Sequence, residues 1–403
     1  MAKSGRRIAI GIDVIWPYKR HTSIVAGILA YGQSRGWRCE LEPFLETSGV
    51  EGFRGRPFDG VIARATPALA AYARRAGIPL VNVWLDSPAQ GVPSVLPDMA
   101  GTGRLAARHL LVRGYRHLGF LGFRGSRNAA LLSSAFCDAA RAAGAVCDVR
   151  LIAWTDFPDG RAWRRFSRDL ATWIRGWKPP VGILVGDDVA GRHLAASCLR
   201  LGLRIPGDAA IVTVGNTELL CEKMSPPLSS VEMGFERVGR EAARLLDRLM
   251  AGRPAPARPI LVPPVGVVAR LSTTAFAVDD PLVSRALRLI ASGACRGMRV
   301  RDVVAALPTT GRSLERRFRR VLGRTIHDEI TRVRIERAKR LLAETETPLK
   351  HVAGACGFSR PEILAKVFRQ SEGKTPGAFR RERRPGEDPG RVSAGRFGPA
   401  ARR

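Results

Sequence analysis

Leu314, Phe318, Arg319, Gly323 and Thr325 recur 50 residues later as Leu364, Phe368, Arg369, Gly373 and Thr375, and Arg324 recurs as Lys374. A repeat that keeps two large apolar residues four apart, then a glycine, then a hydroxyl residue, describes one face of a helix, its stop and the next start. Before each copy stands a short apolar helix and a turn: Val303–Pro308 before the first, Val352–Gly357 before the second. Helix, tight turn and basic helix, twice over, is the plan of a double helix-turn-helix that reads DNA.

The charge distribution points to the same partner. The 403 residues carry a formal charge of +30, and from Pro281 onward 29 Lys/Arg stand against 12 Asp/Glu. So dense a positive charge favours a polyanion and makes its binding salt-dependent. The seven cysteines (Cys39, Cys137, Cys147, Cys198, Cys221, Cys295, Cys356) are odd in number and lack a CxxC. This predicts buried free thiols in a reducing compartment, with neither a disulfide framework nor a zinc site. The apolar run Ile8–Ile12 after Arg6-Arg7 ends at Asp13, too short for a signal peptide, and no stretch is long enough to span a bilayer. A cytoplasmic location without membrane contact is expected.

Residues 6–272 alternate short apolar runs with helical patterns. Strands are expected at Arg7–Ile12, Gly60–Ala63, Pro79–Val83, Leu118–Leu121, Gly182–Val185, Ala210–Val214 and Ile260–Val262. Helices are expected at Thr22–Arg35, Ala68–Ala76, Thr102–Arg113, Asn128–Ala143, Ala162–Gly176, Arg192–Leu201 and Phe235–Ala251. Buried runs alternating with helices imply Rossmann-like lobes with parallel sheets covered on both faces, and the length suits two of them. The domain plan is therefore an α/β region over 1–272, a linker over 273–280, an all-α region over 281–384 and a disordered basic tail over 385–403.

In the first unit Thr310 can cap the recognition helix, and Leu314, Phe318 and Val321 share its inner face. The outer face carries Arg312, Ser313, Arg316, Arg317 and Arg320, and arginine can bind guanine through two hydrogen bonds. In the second unit Pro361 suits the first helical position, leaving Arg360, Glu362, Ile363 and Lys366 for the groove; Glu362 could accept from cytosine. Arg369, Lys374, Arg380 and Arg381 are expected on phosphates. Ile326–Ala343 would space the two recognition helices by about 27 Å, close to one DNA turn.

Several groups of residues carry a family resemblance. They include Leu314-x3-Phe318, Gly323-x-Thr325, Arg334-x2-Arg337-Ala338-x2-Leu341-Leu342, Ala353-x3-Gly357-Phe358 and Gly373-x-Thr375-Pro376-x2-Phe379-Arg380. Over about 100 residues they resemble the AraC family of bacterial transcription regulators, with Pro308 where the family usually has glycine and Leu364 where it usually has phenylalanine.

The N-terminal region resembles the sugar-binding domains of LacI-type repressors and periplasmic binding proteins. The resemblance lies in Phe58–Ile62, Ala76–Val81, Gly103–Leu110, Gly114–His117, Leu203–Val212, Pro227–Val231 and Ile260–Pro264. It implies a two-lobed, periplasmic-binding-protein-like sensor that holds a monosaccharide such as xylose at the C-terminal ends of its strands, as open α/β sheets do. Those ends offer Trp16, Tyr18, Arg20, Arg64, Asp86, Arg124, Asp187, Asp188, Asn216 and Glu218, while Asp98 suits a helix cap better. Sugar-binding relatives often have aspartate where Gly215 stands.

The resemblance implies a ligand-responsive transcription regulator, by family habit an activator. Double-stranded DNA, a monosaccharide effector, a second copy in a homodimer and RNA polymerase would be its partners. A constitutive DNA-binding regulator with a decayed sugar pocket is the alternative, motivated by Gly215. Gly101-x-Gly103-x2-Ala106 matches a loose dinucleotide fingerprint but does not directly follow a strand. With no nucleophile elbow, Walker loop or metal-ligand cluster, no catalytic residue, cofactor or metal is expected, and an enzyme or transport protein with a basic appendage has little support.

Overall fold

Most of the expected strands and helices form, and they assemble into two parallel-sheet lobes followed by a helical domain. The structure, a computed structural model, describes residues 5–14, 19–42, 45, 58–153, 160–274, 277, 280–345 and 347–383.

The first lobe contains β1 (Arg7–Gly11), α1 (Lys19–Ser34), β2 (Arg38–Leu41), β3 (Gly60–Ala63), α2 (Pro67–Arg75), β4 (Leu80–Asn82) and β5 (Val95–Pro97). Its parallel sheet runs β2-β1-β3-β4, with Ile8 opposite both Cys39 and Gly60. The chain then crosses to the second lobe at Asp98, which caps α3 (Met99–Leu111) by accepting from the Gly101 N–H at 2.7 Å. Gly101 and Gly103 thus lie inside a helix rather than in a phosphate-binding loop.

The second lobe continues with β6 (His117–Phe123), α4 (Arg127–Ala142), β7 (Val146–Ile152), α5 (Gly160–Arg175), β8 (Val181–Val185), α6 (Asp188–Arg200), β9 (Ala209–Val214), α7 (Glu218–Cys221) and β10 (Ser229–Glu232). After β10 the chain returns to the first lobe as α8 (Phe235–Met250), which packs on α1, and β11 (Ile260–Val262), which pairs with β5. A last crossing leads to β12 (Gly266–Val268) on the second sheet, whose order is β12-β10-β9-β8-β6-β7. Only β12 runs antiparallel there, and β8 and β9 are buried along their whole length. Three chain crossings between two sheets make a hinged pair of lobes.

Cysteine pairing differs from the expectation. Cys137 on α4 and Cys147 on β7 are joined as a disulfide with their Cα atoms 5.5 Å apart, while Cys39, Cys198, Cys221, Cys295 and Cys356 are free. The packing of α4 along the edge strand brings the two sulfurs together, and no short cysteine motif announces that.

The helical domain contains α9 (Pro281–Gly293), α10 (Val300–Ala305), α11 (Gly311–Leu322), α12 (Ile326–Glu344), α13 (Leu349–Ala355), α14 (Pro361–Glu372) and α15 (Pro376–Arg383). It has two cores. Val283, Leu287, Ile290, Val303, Leu314, Phe318, Ile326 and Ile330 form the first; Ile335, Ala338, Leu342, Val352, Leu364, Phe368 and Phe379 form the second. Helix α12 contributes to both and joins them. Among the described residues no helix is long and apolar enough to cross a membrane. The tail at 385–403 lies outside the described residues.

Candidate functional site

The 50-residue repeat has a structural cause at its leucine, phenylalanine, glycine and threonine positions. Leu314 and Phe318, like Leu364 and Phe368, are fully buried and anchor α11 and α14 to their cores. Gly323 and Gly373 end those helices in the left-handed conformation, φ 68° and 72°, each donating its N–H 2.9 Å to the carbonyl of Arg319 or Arg369. Such a φ is costly for a residue with a Cβ. Thr325 and Thr375 then open the next helices, accepting from the N–H of Asp328 at 3.0 Å and of Ala378 at 3.2 Å. Thr310 caps α11 by accepting from the Ser313 N–H.

This frame presents Arg312, Arg316, Arg319 and Arg320 to solvent on α11, and Arg360, Glu362, Ile363, Lys366 and Arg369 on and before α14. Arg312 and Arg316 have no ion pair among the described residues, nor do Arg360, Lys366 and Arg369. Ser313 is half-buried. Lys374 lies 5.7 Å from the Phe379 ring centre. One arginine of the predicted set, Arg317, turns inward instead. Arg317 donates 2.8 Å to Asp280, the buried cap of α9, and Arg320 approaches the same carboxylate at 3.6 Å while staying largely exposed. Burial would raise the Asp280 pKa, but the guanidinium and two backbone N–H donors outweigh it and hold the carboxyl below its usual range. Arg380 donates to the Thr347 carbonyl, stitching α15 to the turn before α13.

The strand ends of the two lobes face each other, and most polar groups there bond to one another. Asp86 of the first lobe accepts from the Arg127 N–H and from Asn128 Nδ2, both at 2.9 Å, at the start of α4 in the second lobe. Lys19 crosses in the same sense to Glu232 at 2.5 Å and the Asn216 carbonyl at 2.9 Å. Asn216, at φ 55°, also donates to Glu232 at 2.9 Å and accepts from Arg270 at 2.8 Å. Arg64 stacks 4.5 Å over Trp84, and Arg124 is exposed after β6.

The two adjacent aspartates have separate roles. Asp187 caps α6 by accepting from the Ala190 N–H at 2.8 Å, and burial raises its pKa despite that bond and the nearby Arg20. Asp188 is buried and receives Thr213 Oγ1, Cys221 Sγ, Ser230 Oγ and the Thr217 N–H, so it organises the floor of the cleft. Burial and that carboxylate push the Cys221 thiol up to about 12. Gly215 beside it has φ 124°, and a Cβ there would stand 2.9 Å from Asp188 Oδ2. Glu218 is exposed and paired with Lys223 at 3.4 Å. Trp16 and Tyr18 lie outside the described residues.

The pattern of a periplasmic binding protein-like domain matches residues 107–273, and that of a helix-turn-helix domain matches residues 303–382. The chain is a periplasmic-binding-protein-like sensor joined to an AraC-type helix-turn-helix domain. It is 34% identical over 218 residues to a xylose operon regulatory protein of Haemophilus influenzae and 33% identical over 218 residues to that of Escherichia coli K12. Each match covers 54% of this chain and 56% of the relative, so the aligned part spans little more than half the length of these curated relatives. A solved structure of a xylose-binding transcription activator, XylR, is similar over 94% of this chain and 99% of its own, at 27% identity and a TM-score of 0.59. A complex of the regulator CelR with cellobiose shares the fold over 67% of this chain and 86% of its own, with 22% identity and a TM-score of 0.54.

Three polar residues at the sensor cleft escaped the sequence reading: Lys19, Glu232 and Arg270. Lys19 opens a helix, Glu232 ends a strand of serines and Arg270 follows the last strand. Lys19 and Arg270, with Asn216, line an open cavity of about 700 Å³ between the lobes, and Glu232 accepts from Lys19 and Asn216. The available signal was positional: Glu232 and Lys19 flank a chain crossing and a strand end.

Proposed function

We propose that this chain is a ligand-responsive DNA-binding regulator of sugar-metabolism genes, an activator that acts as a homodimer in the cytoplasm and engages RNA polymerase. The carrying observation is the pair of equally built units whose helices α11 and α14 expose Arg312, Arg316, Arg360, Lys366 and Arg369. Helix α12, 19 residues long, joins them across about 28 Å, near one turn of duplex DNA. Arg312, Ser313, Arg316, Arg320, Arg360, Glu362 and Lys366 serve as base-reading candidates; Arg369 and Lys374 serve as phosphate contacts.

For the sensor, Arg20, Arg64, Arg124 and Glu218 are the proposed effector contacts, with Asp86, Asp187, Asp188 and Asn216 shaping the cleft. The xylose operon regulators and the xylose-binding XylR make a monosaccharide such as xylose the first effector to test. The constitutive alternative draws on Gly215 and on the carboxylates already bonded within the protein.

Selection of duplexes from a random pool by the purified chain tests the DNA reading. A repeated half-site bound with steep salt dependence is expected; equal binding of all sequences would reject specific recognition. Melting of the chain with xylose, other pentoses, hexoses and their phosphates tests sensing. At about 100 times its dissociation constant an effector adds roughly 2.7 kcal/mol, and a flat panel would favour constitutive binding.

A further inference from the structure

Among the buried positions at which the two halves of the helical repeat differ, one holds a carboxylate. Where the second unit has Phe379, packed edge-on to Phe368 at 5.3 Å, the first has Glu329, completely buried. Its partners are equally specific. Arg324 donates 2.7 Å to Glu329 Oε2, and Arg332 donates 3.0 Å to Oε2 and 2.7 Å to Oε1. A buried ion pair seldom stabilises a fold more than apolar packing of the same volume. The second unit shows that apolar packing is available at this position, so Glu329 needs another reason.

That reason is the sensor. The second arm of Arg324 donates 2.7 Å to the carbonyl of Val112, just past the end of α3. The next residue, Arg113, donates 2.9 Å to the Thr273 carbonyl and accepts, through its own carbonyl, from the Ala277 N–H at 2.8 Å. His109, one turn earlier, meets Thr273 Oγ1 at 3.0 Å. The end of α3, the start of the interdomain linker and the turn between α11 and α12 therefore meet at one junction. Arg113 and Arg332 repel across it, Glu329 and Glu336 compensate, and burial lowers the Arg113 pKa to about 9. The other end of α3 is Asp98, at a crossing between the lobes. Its 13 residues make a rod of about 20 Å from hinge to junction.

We propose that Val112, Arg113, Arg324 and Glu329 form the contact through which the sensor's second lobe sets the orientation of the first helix-turn-helix unit. Re-angling of the lobes at Asp98 is carried along α3 to Arg324, and α12 passes it to the second unit. This rests on the reading of the chain as a ligand-controlled DNA binder.

The test is hydrogen exchange on the full chain and on Arg324→Ala and Arg113→Ala. Loss of either arginine should speed exchange about tenfold in 326–332, while 361–372 on α14 keeps its protection. Arg113 lies wholly in the sensor, so its effect on α12 cannot come from damage within the helical domain; it also serves if Arg324→Ala fails to fold. Folded variants with parent exchange in 326–332 would overturn the junction. DNA binding by the parent chain is measured alongside. If the parent does not bind DNA, the DNA-binding reading and the regulatory role fall together; if it binds and exchange is unchanged, only the junction falls.

Discussion

At the scale of residues, helical spacing assigns a face but not the end point of a long side chain. Arg316 and Arg317 are neighbours on α11, yet Arg316 is exposed and Arg317 is bound to Asp280. Their substitutions should separate. Arg316→Ala should weaken binding to a selected duplex by about 1–3 kcal/mol and leave thermal stability near the parent's. Arg317→Ala removes a partner of a buried carboxylate and should lower the melting temperature more than it lowers DNA affinity. Anisotropy titrations beside melting curves check both, and identical behaviour of the two variants would refute the assignment. Asp188 teaches the same lesson in the sensor. Its place after a strand suggests a ligand contact, but its four donors come from β9, β10 and the segment Thr217–Cys221, which only the folded sheet brings together.

At the scale of elements, most apolar strands were readable, whereas the polar ones and the three-residue β5 and β12 were not. The strands Gly60–Ala63 and Ile260–Val262 lie where their apolar runs place them. β10 went unseen because Ser229 and Ser230 fill buried positions, satisfied by Arg270, Thr273 and Asp188. β7 went unseen because it is an edge strand with mixed exposure. Helix ends were readable where a cap has a chemical signature, as at Thr310, Thr325, Gly323 and Gly373. Gly323→Ala and Gly373→Ala should each destabilise the helical domain by about 1 kcal/mol, since alanine resists the left-handed conformation that both glycines adopt. Chemical denaturation checks this, and a variant as stable as the parent would show that the helix ends can rearrange without a left-handed residue.

At the scale of the molecule, the order of parts was readable because each part has its own periodicity, whereas contacts between parts were not. Nothing in the sequence pairs Arg324 with Val112 or Asp86 with Arg127, residues 212 and 41 positions apart. Such long-range contacts also bury titratable groups, which gives the whole chain a pH signature. His21 is buried near the cleft with Nδ1 2.7 Å from the Asp13 carbonyl, and its pKa is lowered from 6.5 to about 4 by burial and then by Arg20. His109 at the junction is also held well below 6.5, by burial and then by Arg113 and Arg332. Both therefore take up protons more readily in the unfolded chain. Their stabilising contribution is complete above about pH 6.5 and is lost as pH falls toward the folded-state values. For His21 alone the loss between pH 7 and 5 is about 2 kcal/mol at most. Urea unfolding at those two pH values should show the drop, and His21→Gln should show a smaller one. An equal drop in the variant would mean that His21 already binds its proton in the folded chain, and that its ring does not donate to the Asp13 carbonyl as a neutral group.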